Sequence, residues 1–584
     1  MAAKRLIGSV GGWPFLLICL RWIRFLNVII FEVFGNLLPL NNSGVCMRFT
    51  FFMVISFSFS TVWAQPLPPN SAMITESMIS MAERSNFERT STFQEVVNVI
   101  DAIDAKTDLM HREVLVTTVQ GRSVPIVVLA NPAVNSPAAA KASGKPIIYL
   151  QGNIHGAEVE GKEASLILMR DILFGDKKHL LNNQIIVFVP IYNADGNDDM
   201  TADSRPNQEM SPLMAGQRHA HGYDLNRDGI ALEAPESAAL MERVILRWDP
   251  DLLVDLHTTN GTWHGYSLTY APSYQTAGDG ATSDYTSDVM LPSIKGTVKA
   301  KFDLDFSWYG GFDYRDWPPT ELRTYHHAPR YLTNQMGLRN RMAILSETFS
   351  HDRFYKRIHA ANVFIEEILE YTAIHGEEIQ RINRAADERV AASGFGQEKG
   401  VAFQMVPLAE PLDLLSYKYI PFEKDSGEID FVRSSELVVT KGVLNYNRFE
   451  AIVTATKPAA YVFSAEFTEV AAKLREHGIP VEVLINEQLF VGQAFSVEEV
   501  AKQNFVQNNH QNSVLQGGFL AGQKEFSVGD FYVPMNHRLA NMAFYLLEPQ
   551  ADDGLAYWNF FDVYLESALE QVDAVDYPVF KVMR

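Results

Sequence analysis

The stretch Gln151-Gly-Asn-Ile-His155-Gly-Ala-Glu158 sets an imidazole and a carboxylate three residues apart, between the apolar run Pro146 to Leu150 and a helical pattern, Ala164 to Leu173. At the turn into a helix both side chains can point at one ion, and nitrogen plus oxygen ligation suits Zn²⁺. Other polar groups close apolar runs in the same way. His257 ends Leu252-Leu-Val-Asp-Leu256, Glu347 ends Met342-Ala-Ile-Leu-Ser346, and Asn193-Ala-Asp-Gly196 ends Gln184 to Ile191. Continuous apolar strands are those of a sheet covered on both faces, and open α/β sheets put their chemistry at the carboxyl ends of such strands. Four strands thus deliver candidate groups to one rim, which unrelated core histidines would not do.

The elements that must position these groups follow from periodicity. Thr92 to Ile103 has helical spacing, and Glu113 to Val119 and Pro125 to Leu129 flank Gln120-Gly121-Arg122 as a hairpin. Ala133 to Gly144, mostly Ala, Ser and Pro, reads as a loop. Strands and helices then alternate: Pro146 to Leu150, a helix to Phe174, Gln184 to Ile191, a helix Glu236 to Trp248, and Leu252 to Leu256. The pattern predicts an α/β fold, a mixed sheet with helices on both faces.

Length and charge bound the rest. The 584 residues predict two or three domains, and 47% hydrophobic with 20% charged residues is a soluble, globular composition. Lys plus Arg number 49 against 70 Asp plus Glu, a net charge of −21 that repels phosphate backbones and argues against nucleic acid as a partner. Met47-Arg48, the apolar run Phe49 to Val62 and the end Val62-Trp63-Ala64 read as a signal peptide (47–64) cleaved before Gln65, for a periplasmic or secreted protein. Residues 1–46 read as an extension from a start codon chosen too early. Membrane contact is expected only if they are retained, and Arg21, Arg24 and Glu32 count against a spanning helix there. Cys19 and Cys46 both precede Met47, so a mature chain would have to hold any metal with His, Asp and Glu.

His155-x-x-Glu158, Asn193-Ala-Asp-Gly196, Tyr223-Asp-Leu-Asn226-Arg227, His257 after one apolar strand and Glu347 after another, in this order, resemble the carboxypeptidase A-like family of zinc peptidases. The resemblance implies a sandwich around a mixed sheet and one Zn²⁺ per chain on His155, Glu158 and His257. It also implies hydrolysis of the last bond of a peptide with a free C-terminal carboxylate. Such a ligand set leaves an open position where bound water reaches a pKa of about 7, and Glu347 would serve as general base and then acid. Arg227 and Asn226 would grip the terminal carboxylate. Arg205 resembles the family's oxyanion-stabilising arginine better than Arg218, and Tyr325 or Tyr331 would supply its tyrosine. Here the family's Asn-Arg-Asn is Asn226-Arg227-Asp228, and Asp228 would pair with a cation. Asn197 to His221 and Thr276 to Asp288 would form lips around the cleft. Glu321-Leu-Arg323 imitates a catalytic glutamate motif, but Pro318 and Pro319 argue against a central strand there.

The linker 65–89 then leads to a peptidase domain, 90–375, and an accessory β-rich α+β domain, 376–584, like that of an exported bacterial subgroup. Its expected parts are a charged helix Glu377 to Ala391, strands Leu437 to Thr440 and Phe449 to Thr454, and a β-α-β-like unit from Ala460 to Ile485. An amidase or carboxypeptidase acting on peptidoglycan stem peptides is the alternative enzyme, with an acylamino acid deacylase behind it. A zinc-free binding module of the same fold is the non-enzyme reading, against which the retention of Glu347 counts.

Overall fold

The computed structural model of the protein describes residues 73–202, 204–206, 208 and 212–583. The expected N-terminal extension, signal peptide and Pro-rich start of the linker, with Cys19 and Cys46, lie outside the described residues. Helix α1 (Phe93–Asp104) starts where Thr92 and Glu95 form a capping box, and it buries Val96, Val99, Ile100 and Ile103. It leads into strands β1 (Met110–Thr117) and β2 (Ser123–Leu129), paired antiparallel around Gly121, whose φ of 82° only glycine adopts freely. Ala133 to Gly144 is not all loop. It holds a short helix, α2 (Pro137–Ala142), because Ser136 caps the N–H of Ala139, Pro137 suits the first turn and the alanines favour helix.

Next come β3 (Ile147–Gly152), helix α3 (Glu160–Phe174), β4 (Ile185–Val189) and β5 (Leu252–Thr258). They are followed by β6 (Leu268–Pro272), β7 (Phe306–Trp308), β8 (Glu321–Arg323) and β9 (Met342–Thr348). The eight-stranded mixed sheet runs β1-β2-β4-β3-β5-β9-β6-β7, and β8 lies outside it, paired with Ile429–Tyr446. The middle strands β4, β3, β5 and β9 are mutually parallel, and β3, β5 and β9 are buried along their whole lengths. The chain leaves β3 for β4 on one side and returns to β5 on the other. Successive connections therefore diverge between β3 and β5, which opens a crevice at their carboxyl ends. Register then sets neighbours across it: Gln151 beside Asp255, and His257 beside Glu347.

Glycines let backbones close around this crevice. A Cβ on Gly156 would lie 2.4 Å from the Gln217 carbonyl oxygen and from Gly196, and one on Gly216 would lie 2.3 Å from the Gly196 carbonyl oxygen. The loop after β3, the Asn193 to Gly196 turn and the Gly216 segment thus meet backbone to backbone. Gly161 likewise lets α3 sit on Leu256 of β5.

Two helices differ from expectation. Glu236 to Trp248 is an α-helix, Pro235–Leu240, that widens into a π turn, Met241–Leu246. The charged helix at Glu377 is the second half of one 39-residue helix, Phe354–Ala392, which runs through 375/376 without a break because no Pro interrupts it and its apolar stripe stays buried as far as Val390. Beyond it, one long hairpin (Leu412–Glu423 with Ile429–Tyr446) forms a separate three-stranded sheet with β8, and another (Gln488–Lys502 with Ser513–Phe526) joins a further sheet in which Ala460–Phe463 and Glu482–Val483 flank Phe531–Pro534. The described residues belong to one compact unit, Leu67–Arg584. One core cluster joins Ile230, Tyr274 and Leu345 to Phe403, Phe449 and Trp558. Among the described residues no helix is long and apolar enough to cross a membrane.

Substituting Gly156 by Ala is expected to cost about 1–3 kcal/mol of stability, because backbone rather than a flexible side chain must yield. Gly296→Ala, at an exposed helical position with open space around it, is expected to be neutral or stabilising by up to about 1 kcal/mol. Chemical denaturation midpoints of the two variants check the contrast.

Candidate active site

The loop after β3 is shaped by one amide. Asn153 adopts a left-handed backbone (φ 65°), and its Nδ2 donates to the carbonyls of His155 (3.2 Å), Gly156 (3.1 Å) and Glu158 (3.1 Å). The Glu158 N–H donates to the His155 carbonyl (2.9 Å), and the loop closes into the first turn of α3. His155 and Glu158 therefore face the end of β5, where His257 points into the same crevice.

These three side chains offer ligand atoms that all lie within 4.8 Å of one another, and all three are buried. His155 Nδ1 lies 3.0 Å from Glu158 Oε1, and His257 Nδ1 lies 2.9 Å from Glu158 Oε2. Each imidazole turns its other nitrogen to a carboxylate: His155 Nε2 is 3.2 Å from Asp224 Oδ1, and His257 Nε2 is 2.9 Å from Asp255 Oδ2. The line continues outward, Gln151 Nε2 donating to Asp255 (3.3 Å) and the Tyr149 hydroxyl to Gln151 (2.7 Å). Carboxylates behind both rings fix tautomer and orientation and leave two Nδ1 atoms and a carboxylate converging, which is the donor set of a divalent-metal site. Burial works to lower the His257 imidazole, but Asp255 and Glu158 hold it well above its usual range. Burial works to raise Glu158, but His155 and Arg205 hold its carboxyl well below.

Glu347 stands beside His257 across the β5–β9 register, with Oε2 buried and without a hydrogen-bond partner. Burial pushes its carboxyl up to about 8, His257 and Arg205 opposing and Glu158 adding. Arg205 Nη1 donates to Glu158 Oε1 at 2.7 Å, and its Nη2 to the carbonyls of Thr258 and Thr259. Arg218 is one residue pair removed, donating to Asp224 Oδ2 at 3.0 Å. Asn226 Oδ1 accepts from the Leu332 N–H (3.2 Å), and the Arg227 guanidinium lies 4.1 Å over the Tyr331 ring without a carboxylate partner among the described residues.

One cavity of about 340 Å³ is lined by His155, Glu158, His257 and Glu347 together with Arg205, Arg218, Asn226, Arg227, Tyr325 and Tyr331. The two tyrosines separate there. The Tyr325 hydroxyl is bound to Thr333 Oγ1 (2.8 Å), whereas Tyr331 braces Arg227. Tyr309, which sequence reasoning missed, lines the same cavity, and its buried hydroxyl is raised further by the charges of Glu347 and Glu158. Asp224 and Asp255 were missed too, although Asp255 precedes His257 by two residues on one strand and so shares its face. His264, buried near His351, is not in the triad, and Glu321 is half-buried and paired with Arg323. Among the described residues Asp228 pairs with no cation. It accepts from the N–H groups of Glu233 (3.0 Å) and Ala234 (2.8 Å), and burial pushes it up to about 6.

The profile described as "Zinc carboxypeptidase" matches residues 96–229, which include His155, Glu158, Arg205, Asn226 and Arg227 but not His257 or Glu347. Carboxypeptidase 2 of Trichophyton tonsurans is 20% identical over 494 residues, 79% of this chain and 81% of that protein. Probable carboxypeptidase 2 of Arthroderma benhamiae is 20% identical over 461 residues, 74% of this chain and 79% of that protein. Among solved structures, a metallo-carboxypeptidase from Burkholderia cenocepacia is 15% identical with a TM-score of 0.36, over 48% of this chain and 69% of that one.

Asp255→Asn is expected to weaken divalent-ion binding by about 10–100-fold, because His257 loses the carboxylate that orients it. Competition with a chromogenic chelator measures the change, and an unaltered affinity would remove Asp255 from the account.

Proposed function

We propose, from the premise that this chain belongs to the zinc carboxypeptidase family and is a hydrolytic metallocarboxypeptidase, a specific division of labour among its residues. His155, Glu158 and His257 hold one zinc ion, and its substrate is a peptide with a free C-terminal carboxylate. The observation that carries this reading is the meeting of the triad, the partly unpaired Glu347 carboxyl and the Arg227–Asn226 pair in one cavity. When bound, zinc at the triad supplies Lewis-acid polarisation of the scissile carbonyl and lowers the pKa of water.

The protein groups do the rest. Asn226 and Arg227 bind the terminal carboxylate, with Tyr331 holding the guanidinium plane against its ring. This fixes the last peptide bond beside Glu347. Glu347 takes a proton from the attacking water and delivers it to the leaving amine, the role its crowded, water-poor position suits. Arg205 donates to the oxygen on which negative charge develops. Tyr309 lies near the same carboxylates and is a candidate donor to the leaving group. Among the described residues no carboxylate other than Glu158 and Glu347 lines the cavity, while Leu345, Thr333 and Tyr325 do, a lining that suits a released residue without positive charge. Met47 to Ala64 serves as an export signal, and the exported chain begins at Gln65.

Glu347→Gln is expected to retain zinc and lower turnover at least about 100-fold, while Glu321→Gln leaves the rate unchanged. His257→Ala should lose most of the metal by elemental analysis. If Glu321→Gln is the inactive variant with zinc intact, the base is misassigned. N-terminal sequencing of the exported protein tests the Gln65 start, and an intact Met1 terminus in the membrane fraction would refute it.

A further inference from the structure

The turn between Gln488–Lys502 and Ser513–Phe526 reaches the active-site loop from the far end of the chain. Asn508, in a left-handed conformation (φ 45°), accepts from the Asp224 N–H through Oδ1 at 2.9 Å and donates from Nδ2 to the Asp224 carbonyl at 3.0 Å. One amide thereby satisfies both backbone polar groups of one residue, 284 positions away in sequence, in a buried contact. Asp224 is the residue whose carboxylate lies behind His155. Its Oδ1 also accepts from the Asn226 N–H at 3.0 Å, and it caps the turn Leu225–Arg227 that presents the Asn226–Arg227 pair.

The flanking residues grip the same stretch. Gln507 accepts from Arg330, whose carbonyl accepts from the Gly229 N–H at 3.0 Å, and His510 Nε2 lies 3.0 Å from Glu233 Oε1. The Asp224 backbone is thus held from outside the peptidase sheet by a short amide that mimics a peptide group, with Arg330 and Glu233 held further along by Gln507 and His510. Asparagine fits for a local reason as well, since it tolerates the left-handed backbone better than other side chains bearing an amide.

We propose that Asn508 is a positioning residue of the peptidase site: by fixing the Asp224 backbone it sets the ring of His155 and the placement of Asn226 and Arg227. The C-terminal region is then part of the catalytic unit and not only a companion to it. This rests on the assignment of His155, Asn226 and Arg227 proposed above.

The test uses the full-length chain with Asn508→Gly, because glycine accepts the positive φ and removes only the amide. Zinc affinity is read by chelator competition, and KM and kcat with a peptide bearing a free carboxylate. The expected result is about a tenfold loss of zinc affinity, the low end for a residue supporting a ligand indirectly, with KM rising more than kcat falls. Asn508→Asp, which keeps the acceptor and loses the donor, should fall between. A merely structural residue would lower the thermal midpoint alone, so wild-type zinc affinity and KM in both variants overturn the proposal. Should Asn508→Gly fail to fold, Asn508→Asp decides by the same readouts. Failure of the underlying site assignment looks different: the wild-type protein would then take up no zinc at one per chain, and the positioning role would fall with it.

Discussion

Buried negative charge is the constraint on which the site depends. Glu158, Glu160, Asp224, Asp255 and Glu347 are all buried around the ends of β3, β5 and β9, where an unpaired carboxylate is costly. The protein answers some of them with arginine: Arg205 on Glu158, Arg218 on Asp224, and Arg357 on Glu160 at 2.8 Å. The imidazoles take up Asp255 and the second oxygen of Glu158. Glu347 keeps one oxygen unpaired. A cluster so rich in acceptors would be stabilised by a divalent cation among its two Nδ1 atoms and Glu158, and burial in the same crowded place gives Glu347 its affinity for a proton.

Placing those charges requires backbone geometry that only a few residue types permit. The β3–β5 divergence supplies the crevice, and the parallel β5–β9 register sets His257 against Glu347 with no loop between them. The loop that carries His155 and Glu158 is less regular and needs more support. Asn153 ties its carbonyls, and Gly156, Gly196 and Gly216 let it lie against the segment that carries Arg218 and Asp224. A candidate ligand on a strand end and a candidate ligand on a loop are thus held by different means, one through the ladder and one through close packing of backbone.

Much of this was legible in the sequence. Apolar runs ending in His257 and Glu347 gave away both strands and their rim, because burial on both faces leaves a recognisable composition. Asp255 could have been read from period-two geometry, and Asp224 from its place just ahead of Asn226, but both looked like ordinary strand and loop acids. Tyr309 had no signal, since it lines the cavity only through the way β7 sits at the sheet edge. Asp228 misled because its charge beside the Asn226–Arg227 pair suggested a cation partner, whereas two backbone N–H groups serve it. The helix Phe354–Ala392 misled because its charged surface in the second half hid a continuous buried stripe.

The last third of the chain touches the peptidase region at several loops near the cavity as well as through a shared core. Asn508 binds Asp224, Asp553 pairs with Arg330, Asn447 accepts from the Tyr274 hydroxyl, and Ser416 bridges to His264. Arg330 and Tyr274 lie directly before or beneath residues that line the cavity, Tyr331 and Tyr325. Loops that would otherwise pay conformational entropy when substrate binds are therefore ordered beforehand, and catalysis gains from geometry fixed in advance. The core that joins Leu345 to Phe403 and Trp558 gives that order a hydrophobic base. Shape at the cleft is in this way a property of residues from both ends of the chain, which is why its loops could not be placed from the peptidase motifs alone.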